Sequence, residues 1–159
     1  MKKTITLTVN GEVREVAVDT NTTLADLLRY QLNLIGTKKG CEMGDCGTCT
    51  VIMDGNPVNS CLVLAVQANG RAIETIEGLE TPEGMHPLQK AFVEHGAIQC
   101  GFCTSGMILS AKHLLDTNAH PDEREIRSAI SGNLCRCTGY QKIVEAIQSV
   151  ADGDPSTRP

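Results

Sequence analysis

Eight cysteines are the residues of this chain whose types and spacing could do chemistry. Thiolates bind transition metals, whereas thiols in secreted proteins usually pair as disulfides. The chain opens with alternating apolar and polar residues and not with the unbroken apolar run of a signal peptide. We therefore expect a cytoplasmic protein with reduced thiols, in which bound metal is favoured over disulfides. The cysteines fall into a first set, Cys41, Cys46, Cys49 and Cys61, and a second set, Cys100, Cys103, Cys135 and Cys137.

The first set has the spacing C-x4-C-x2-C, followed after eleven residues by a final cysteine. This is the spacing of plant-type 2Fe–2S ferredoxins, in which four thiolates hold the cluster. Gly40, Gly44 and Gly47 would let the loop curl with positive φ and bring backbone N–H groups close to sulfur. Zinc is the alternative, although zinc ligands usually come as two short cysteine pairs. The spacing therefore favours a 2Fe–2S cluster.

The second set consists of a C-x2-C pair and a C-x-C pair, and each pair precedes a predicted helix. The partial positive charge at a helix N-terminus favours anionic thiolates. Spacing alone leaves a cluster, a zinc site and a redox-active pair open. Two helix–cysteine-pair–helix units that face each other would bring four sulfurs to one point.

The elements that must position the first set form a small sheet. Residues 5–9 alternate apolar and polar side chains, the period of a half-buried strand. Asn10-Gly11 and Asp54-Gly55 predict two-residue hairpin turns. Leucines at helical spacing over residues 24–28 predict a helix between the hairpins. Two hairpins around a helix indicate a β-grasp, ferredoxin-like domain over residues 1–77.

The second half changes to a helical pattern. Pro87 suits the first position of a helix. Asp122-x-x-Glu125 and Thr138-x-x-Gln141 are capping-box patterns that predict two further helix starts. Four short helices in succession predict an all-α four-helix bundle.

The fold class is therefore α+β, with a β-grasp domain followed by a helical one. We expect a linker over residues 78–86, a helical domain over 84–150 and a flexible tail over 151–159. The net charge is −5 and aromatic residues make up 3% of the chain. Without a basic stripe, a nucleic-acid-binding surface is not expected. Without a run of about 18 apolar residues, a membrane span is not expected.

Three motifs give the chain a specific resemblance. Residues 41–51 (CEMGDCGTCTV), 99–104 (QCGFCT) and 132–140 (GNLCRCTGY) are similar to the signatures of one family, in that family's order. The family is the small iron–sulfur subunits of the xanthine oxidase-type molybdenum hydroxylases. The chain departs from it at Ser105, where the family commonly has proline, and we expect only a small local change there.

The resemblance implies that each cysteine set ligates one 2Fe–2S cluster. It also implies a large partner subunit with a molybdenum–pterin cofactor and a medium partner with FAD, in a heterotrimer or a dimer of heterotrimers. Electrons would pass from molybdenum to the helical-domain cluster, then to the ferredoxin-like cluster and to flavin. Gln99 and Cys137 would contact the pterin, so that Cys137 is both ligand and electron exit.

The leading hypothesis is an electron-transfer subunit that does no substrate chemistry itself. A free-standing ferredoxin shuttle and a zinc-stabilised interaction module are the alternatives. A free-standing shuttle would not need Gln99 as a pterin contact, which argues against that alternative. Lys38 and Lys39, beside the first set, are expected to be solvated surface.

Overall fold

A mixed five-stranded sheet forms the first half of the protein. The computed structural model describes residues 1–153. The strands are β1 (Lys2–Val9), β2 (Glu12–Asp19), β3 (Thr50–Met53), β4 (Asn56–Asn59) and β5 (Ala72–Glu74). The strand order is β2-β1-β5-β3-β4, and β1 and β5 are parallel while the other neighbours are antiparallel.

Both predicted hairpin turns are confirmed. Asn10 and Gly11 have φ of 50° and 82°, and Asp54 and Gly55 have φ of 49° and 83°. Positive φ at both central residues is the type I′ geometry that matches the twist of two antiparallel strands. Each turn thus fixes the register of its own hairpin, β1 with β2 and β3 with β4.

The connection between the hairpins covers that apolar face. Its first element is α1 (Leu24–Asp26), which continues directly into a π-helical turn, Leu27–Gln31. The Oγ1 atom of Thr23 caps α1 by accepting a hydrogen bond from the Asp26 N–H at 3.1 Å. Further along the chain, 3₁₀ turns span Ser60–Leu62, Ala65–Ala68 and Ile76–Gly78. The leucines of α1 and the π-helical turn pack with the inward residues of the sheet in one core.

Four further helices follow in the second half. They are α2 (Pro87–Glu94), α3 (Thr104–Thr117), α4 (Glu123–Ala129) and α5 (Gln141–Ala151). Pro87 occupies the first turn of α2, and Asp122 and Glu125 form a reciprocal capping box at α4, as predicted. In residues 1–153 no helix has the length and apolar character needed to cross a bilayer.

The predicted capping box at Thr138 is wrong. Helix α5 begins at Gln141, and the preceding Tyr140 has a left-handed φ of 70° and no side-chain cap. The Oγ1 atom of Thr138 accepts a hydrogen bond from the Tyr140 N–H at 3.1 Å and lies 3.1 Å from Sγ of Cys135. The hydroxyl is therefore engaged by the cysteine loop and is not available to the helix.

The two halves share a core. Ile52 of β3, only 7% exposed, packs in the same apolar cluster as Leu88, Phe92 and Met107 of the helices. Each such side chain contributes about 1.5–3 kcal/mol by leaving water. The predicted α+β class is confirmed, and β3 with α3 joins the sheet to the helices. Of the predicted tail, Ala151 is the buried last residue of α5, and residues 154–159 lie outside the described residues.

Candidate metal centres

The loop over residues 40–49 wraps around the sulfur of Cys41. The backbone N–H groups of Met43, Asp45 and Cys46 lie 3.4, 3.3 and 3.3 Å from this Sγ atom. The hydrogen bonds from Met43 and Cys46 lower the pKa of the Cys41 thiol to about 7. Several N–H donors aimed at one sulfur stabilise the thiolate, which is the form that binds metal.

Glycines allow this close wrap. Gly44 and Gly47 have φ of +89° and +70°, a region that other residues rarely adopt. A Cβ atom on Gly40 would lie 2.9 Å from Sγ of Cys46, so a side chain there would press against the sulfur. The predicted positive φ is therefore present at Gly44 and Gly47 but not at Gly40, where the missing side chain instead leaves room for the Cys46 sulfur.

The other two thiols of the first set face the interior. Cys49 follows the loop and Cys61 lies in a 3₁₀ turn after β4, with 2% and 8% of their surfaces exposed. Ser60 holds the two segments together, because its hydroxyl donates to the Cys49 carbonyl oxygen at 2.6 Å. Burial, and then the neighbouring Cys49 sulfur, raise the pKa of Cys61 to about 11. Two thiols of the set are thus buried and two lie nearer the surface.

The second set shows the same division. Cys103 is buried beside Cys135, whereas Cys100 and Cys137 are exposed and adjacent to each other. Burial, and then the nearby Cys135, raise the pKa of Cys103 to about 12. Burial opposes ionisation of Cys135, but hydrogen bonds from Thr138 outweigh it and lower the pKa of that thiol. The structure therefore brings the four predicted cysteines of the second set together.

One cleft joins the two sets. It has a volume of about 480 Å³ and is lined by Cys41 and Cys46 of the first set and by all four cysteines of the second. Its apolar wall includes the exposed side chains of Phe102 and Leu134. The first thiols of the two sets, Cys41 and Cys100, are almost sixty residues apart in sequence. The two sets are nevertheless neighbours in space, because both line this cleft.

The donor sets fit clusters better than single ions. Among residues 1–153, no group of three or more His, Cys, Asp or Glu side chains is arranged to hold one metal ion. A tetrahedral zinc site gathers four ligands around a single point, whereas a binuclear cluster divides four thiolates between two irons. The N–H donors around Cys41 suit a sulfur-rich, negatively charged group of this kind.

Comparison with known proteins places these domains in a family. A family described as 2Fe-2S iron-sulfur cluster binding domain matches residues 7–74, and one described as 2Fe-2S binding domain matches residues 75–148. The nicotine 6-hydroxylase small subunit of Paenarthrobacter nicotinovorans is 55% identical over 90% of this chain and 86% of its own. The chain belongs to the small iron–sulfur subunits of the xanthine oxidase-type molybdenum hydroxylases.

Other relatives of the small subunit agree. The caffeine dehydrogenase subunit gamma of Pseudomonas sp. (strain CBB1) is 52% identical over 92% of this chain and 90% of its own. A chain of quinoline 2-oxidoreductase from Pseudomonas putida 86 superposes with a TM-score of 0.92 at 49% identity, over 98% of this chain and 93% of its own. The predicted family, the two 2Fe–2S clusters and the electron-transfer role in an oxidoreductase are thereby confirmed.

The positions expected to contact a pterin lie at the surface of the small subunit. Gln99 is exposed and directly precedes Cys100, the thiol that contacts the exposed Cys137. Ser105, the departure from the family pattern, is the second residue of α3 and leaves the helix intact.

Sequence reasoning missed the hydroxyl groups that support the sulfurs. Thr48 Oγ1 lies 3.2 Å from Sγ of Cys46, and Thr138 Oγ1 stands in the same relation to Cys135. The signal was available, because each threonine follows a cysteine of its motif by two or three residues. Lys39 is not solvated surface either, since its ammonium group lies 2.6 Å from Asp26 and 2.7 Å from Glu42.

Proposed function

We propose that the first and second cysteine sets each ligate one 2Fe–2S cluster, through Cys41, Cys46, Cys49 and Cys61 and through Cys100, Cys103, Cys135 and Cys137. These clusters supply one-electron transfer between a molybdenum–pterin site in a large partner subunit and FAD in a medium partner subunit. The observation that carries the proposal is the single cleft onto which six of the eight thiols open.

The chain's own groups prepare each set for its cluster. In the first set, three backbone N–H groups favour the thiolate of Cys41. In the second set, the hydroxyl and N–H groups of Thr138 do the same for Cys135. Hydrogen bonds to ligand sulfur, together with burial, are the means by which a protein tunes such a centre.

Two separate surfaces of the small subunit would contact its two partners. Gln99 and Cys137, both exposed, would face the pterin of the large subunit. Met43 and Leu62 are 66% and 60% exposed beside the first cysteine loop, and they would lie against the flavin subunit. Exposed apolar side chains at the rim of a redox site suit a buried contact with a partner.

The finer architecture belongs to the same proposal. Residues 1–77 would form the β-grasp domain and residues 84–150 a four-helix bundle. The complex would be a cytoplasmic heterotrimer or a dimer of heterotrimers. The packing of α2 against α5 and of α3 against α4 supports the bundle.

Replacement of one buried thiol tests the ligand assignment. In the full chain, Cys103→Ser should abolish one of two cluster signals in electron paramagnetic resonance and halve the iron and acid-labile sulfide. Ser105→Ala, two residues further on, should retain both signals and serves as the matched control. Persistence of both signals in Cys103→Ser would refute the assignment of the second set.

Co-purification tests the partner assignment separately. The tagged chain expressed with its neighbouring genes should emerge with two larger chains that carry pterin and FAD. A chain that emerges alone with both clusters intact would instead indicate a free-standing ferredoxin shuttle. Zinc in place of iron and sulfide would reject both electron-transfer readings.

A further inference from the structure

A buried amide joins the two cysteine loops. Asn133, two residues before Cys135, is only 4% exposed. Its Nδ2 atom donates to the carbonyl oxygen of Gly47 at 3.0 Å and to Oγ1 of Thr50 at 3.3 Å. Its Oδ1 atom accepts a hydrogen bond from the hydroxyl of Ser110 at 2.8 Å. One side chain thus touches the loop of the first set, strand β3 and helix α3.

The chemistry of its partners fixes the orientation of this amide. The Gly47 carbonyl can only accept a hydrogen bond, so the NH₂ group of Asn133 must face it. The Ser110 hydroxyl then donates to the amide oxygen on the other side. A flipped amide would set two carbonyl oxygens against each other, and the network therefore has one arrangement.

The backbone segments around Asn133 are packed too closely to shift relative to one another. A Cβ atom on Gly47 would lie 2.2 Å from the carbonyl oxygen of Gly132, and one on Gly106 would lie 2.4 Å from that of Gly47. The N–H of Leu134 donates to the carbonyl oxygen of Cys46 at 2.9 Å. The two cysteine loops are therefore in direct backbone contact at the point where the amide lies.

We propose that Asn133 is a positioning residue that fixes the distance and orientation between the two clusters. This inference rests on the proposed ligation of a cluster by each set. The loops come from different halves of the chain, and a buried hydrogen-bond network with every member satisfied is what holds such elements in one arrangement. Because electron transfer weakens steeply with distance, a fixed separation of the clusters matters to the small subunit.

Asn133→Asp separates the two ends of the network. The carboxylate can still accept from Ser110, but it has no donor for Gly47 or Thr50 and repels the Gly47 carbonyl oxygen. Ser110→Ala is the matched variant, since it removes the other hydrogen bond of Asn133 and leaves the Nδ2 contacts in place. The readout is the magnetic splitting between the two reduced clusters in the full chain, which falls with the cube of their separation.

We expect the magnetic splitting between the clusters to become broad or undetectable in Asn133→Asp, while both cluster signals remain. Ser110→Ala should retain the wild-type splitting. An unchanged splitting in Asn133→Asp, or an equal change in both variants, would overturn the inference. Absence of two cluster signals in the wild-type chain would instead overturn the proposed function.

A second variant covers the case in which Asn133→Asp does not load its clusters. Thr50→Val removes one acceptor of Asn133 and the hydroxyl that donates to the Gly47 carbonyl oxygen at 2.7 Å, with little change in volume. We expect the magnetic splitting to broaden in Thr50→Val as well. Wild-type splitting in Thr50→Val would then count against the inference.

Discussion

The hydroxyl of Tyr140 accepts a hydrogen bond from the backbone N–H of Cys135 at 2.8 Å. This hydrogen bond closes the loop over residues 135–140. The loop ends at Tyr140, which has a left-handed conformation with φ of 70°. A side chain from the start of α5 is thereby attached to the backbone of a proposed ligand. The contact turns a short stretch of irregular chain into a defined loop.

Tyr140→Phe should destabilise this loop. The substitution keeps the ring and removes the acceptor of a partly buried hydrogen bond, whose net contribution to stability is about 0.5–1.5 kcal/mol. The free energy of unfolding in denaturant measures the change. Tyr30→Phe is the control, because Tyr30 is 67% exposed and a surface substitution usually changes stability by less than about 0.5 kcal/mol. Equal effects of the two substitutions would contradict the role of the Tyr140 hydroxyl.

Gly47→Ala should separate the two halves of the chain. Positive φ alone costs a residue with a Cβ atom about 1–2 kcal/mol. The added methyl group would also lie 2.2 Å from the Gly132 carbonyl oxygen, so the loops must move apart. We expect a fall in stability that exceeds the cost of φ, together with loss of bound iron.

Gly55→Ala is the matched control for that substitution. Gly55 has φ of +83°, close to the +70° of Gly47, but nothing lies within 4 Å of a Cβ atom built on it. It should therefore show the cost of positive φ alone and full iron content. If the two variants lost stability and iron equally, the close approach of the loops would not be the cause.

Local patterns were read correctly from the sequence because their causes are local. The hairpin turns at Asn10-Gly11 and Asp54-Gly55 depend on two adjacent residues that tolerate positive φ. The division of the cysteines into two ligand sets stays a prediction, because each set joins segments that are distant in sequence, such as Cys49 with Cys61 and Cys103 with Cys135. In the two turns, by contrast, the residues that decide the structure are adjacent.

The errors concern residues whose partners are distant or compete. Lys39 was expected to be solvated, but Asp26, thirteen positions earlier, binds it across the fold. Thr138 has the pattern of a helix cap, yet its hydroxyl is drawn to the sulfur of Cys135 three residues before it. Asn133 reaches Gly47, 86 positions earlier, and no periodicity or motif spacing predicts a contact of that range.

Lys39→Met should loosen the first cysteine loop. The Lys39 ammonium group bridges the carboxylates of Asp26 in α1 and Glu42 in the loop, and it is only 18% exposed. A partly exposed ion pair contributes about 1 kcal/mol, so we expect a loss of that size in the free energy of unfolding. Lys3→Met, at the exposed start of β1, is the control, and an equal loss there would refute the bridge.

The ion pair between Lys39 and Asp26 also predicts that the stability of the protein falls at acid pH. Burial opposes ionisation of Asp26, but hydrogen bonds from Lys39 and Thr23 outweigh it and hold the pKa of the carboxyl below its usual value. A depressed carboxyl pKa contributes stability that is complete above the unfolded pKa of about 3.9 and is lost as pH falls through the folded pKa. In Asp26→Asn the corresponding part of the acid-induced loss should be absent, as measured by denaturant unfolding between neutral and acid pH.

His86 gives helix α2 a pH-dependent cap. Its Nδ1 atom accepts a hydrogen bond from the Leu88 N–H at 3.2 Å, which only an unprotonated Nδ1 can do. Burial is the main cause that lowers the pKa of His86, Lys112 lowers it further, and the carboxylates of Asp116 and Glu74 oppose both. The folded protein therefore prefers the neutral ring.

The sign of the pH effect follows from this preference. Since the pKa is lower in the folded state, the unfolded chain binds more protons as pH falls below about 6.5, the unfolded pKa of histidine. Stability should be complete above that pH and should decrease through the interval between the unfolded and folded pKa. His86→Asn keeps a side-chain acceptor at the cap and cannot titrate, so its unfolding free energy should depend less on pH between 5 and 8. Equal pH dependence in the wild type and His86→Asn would show that the cap does not titrate with the fold.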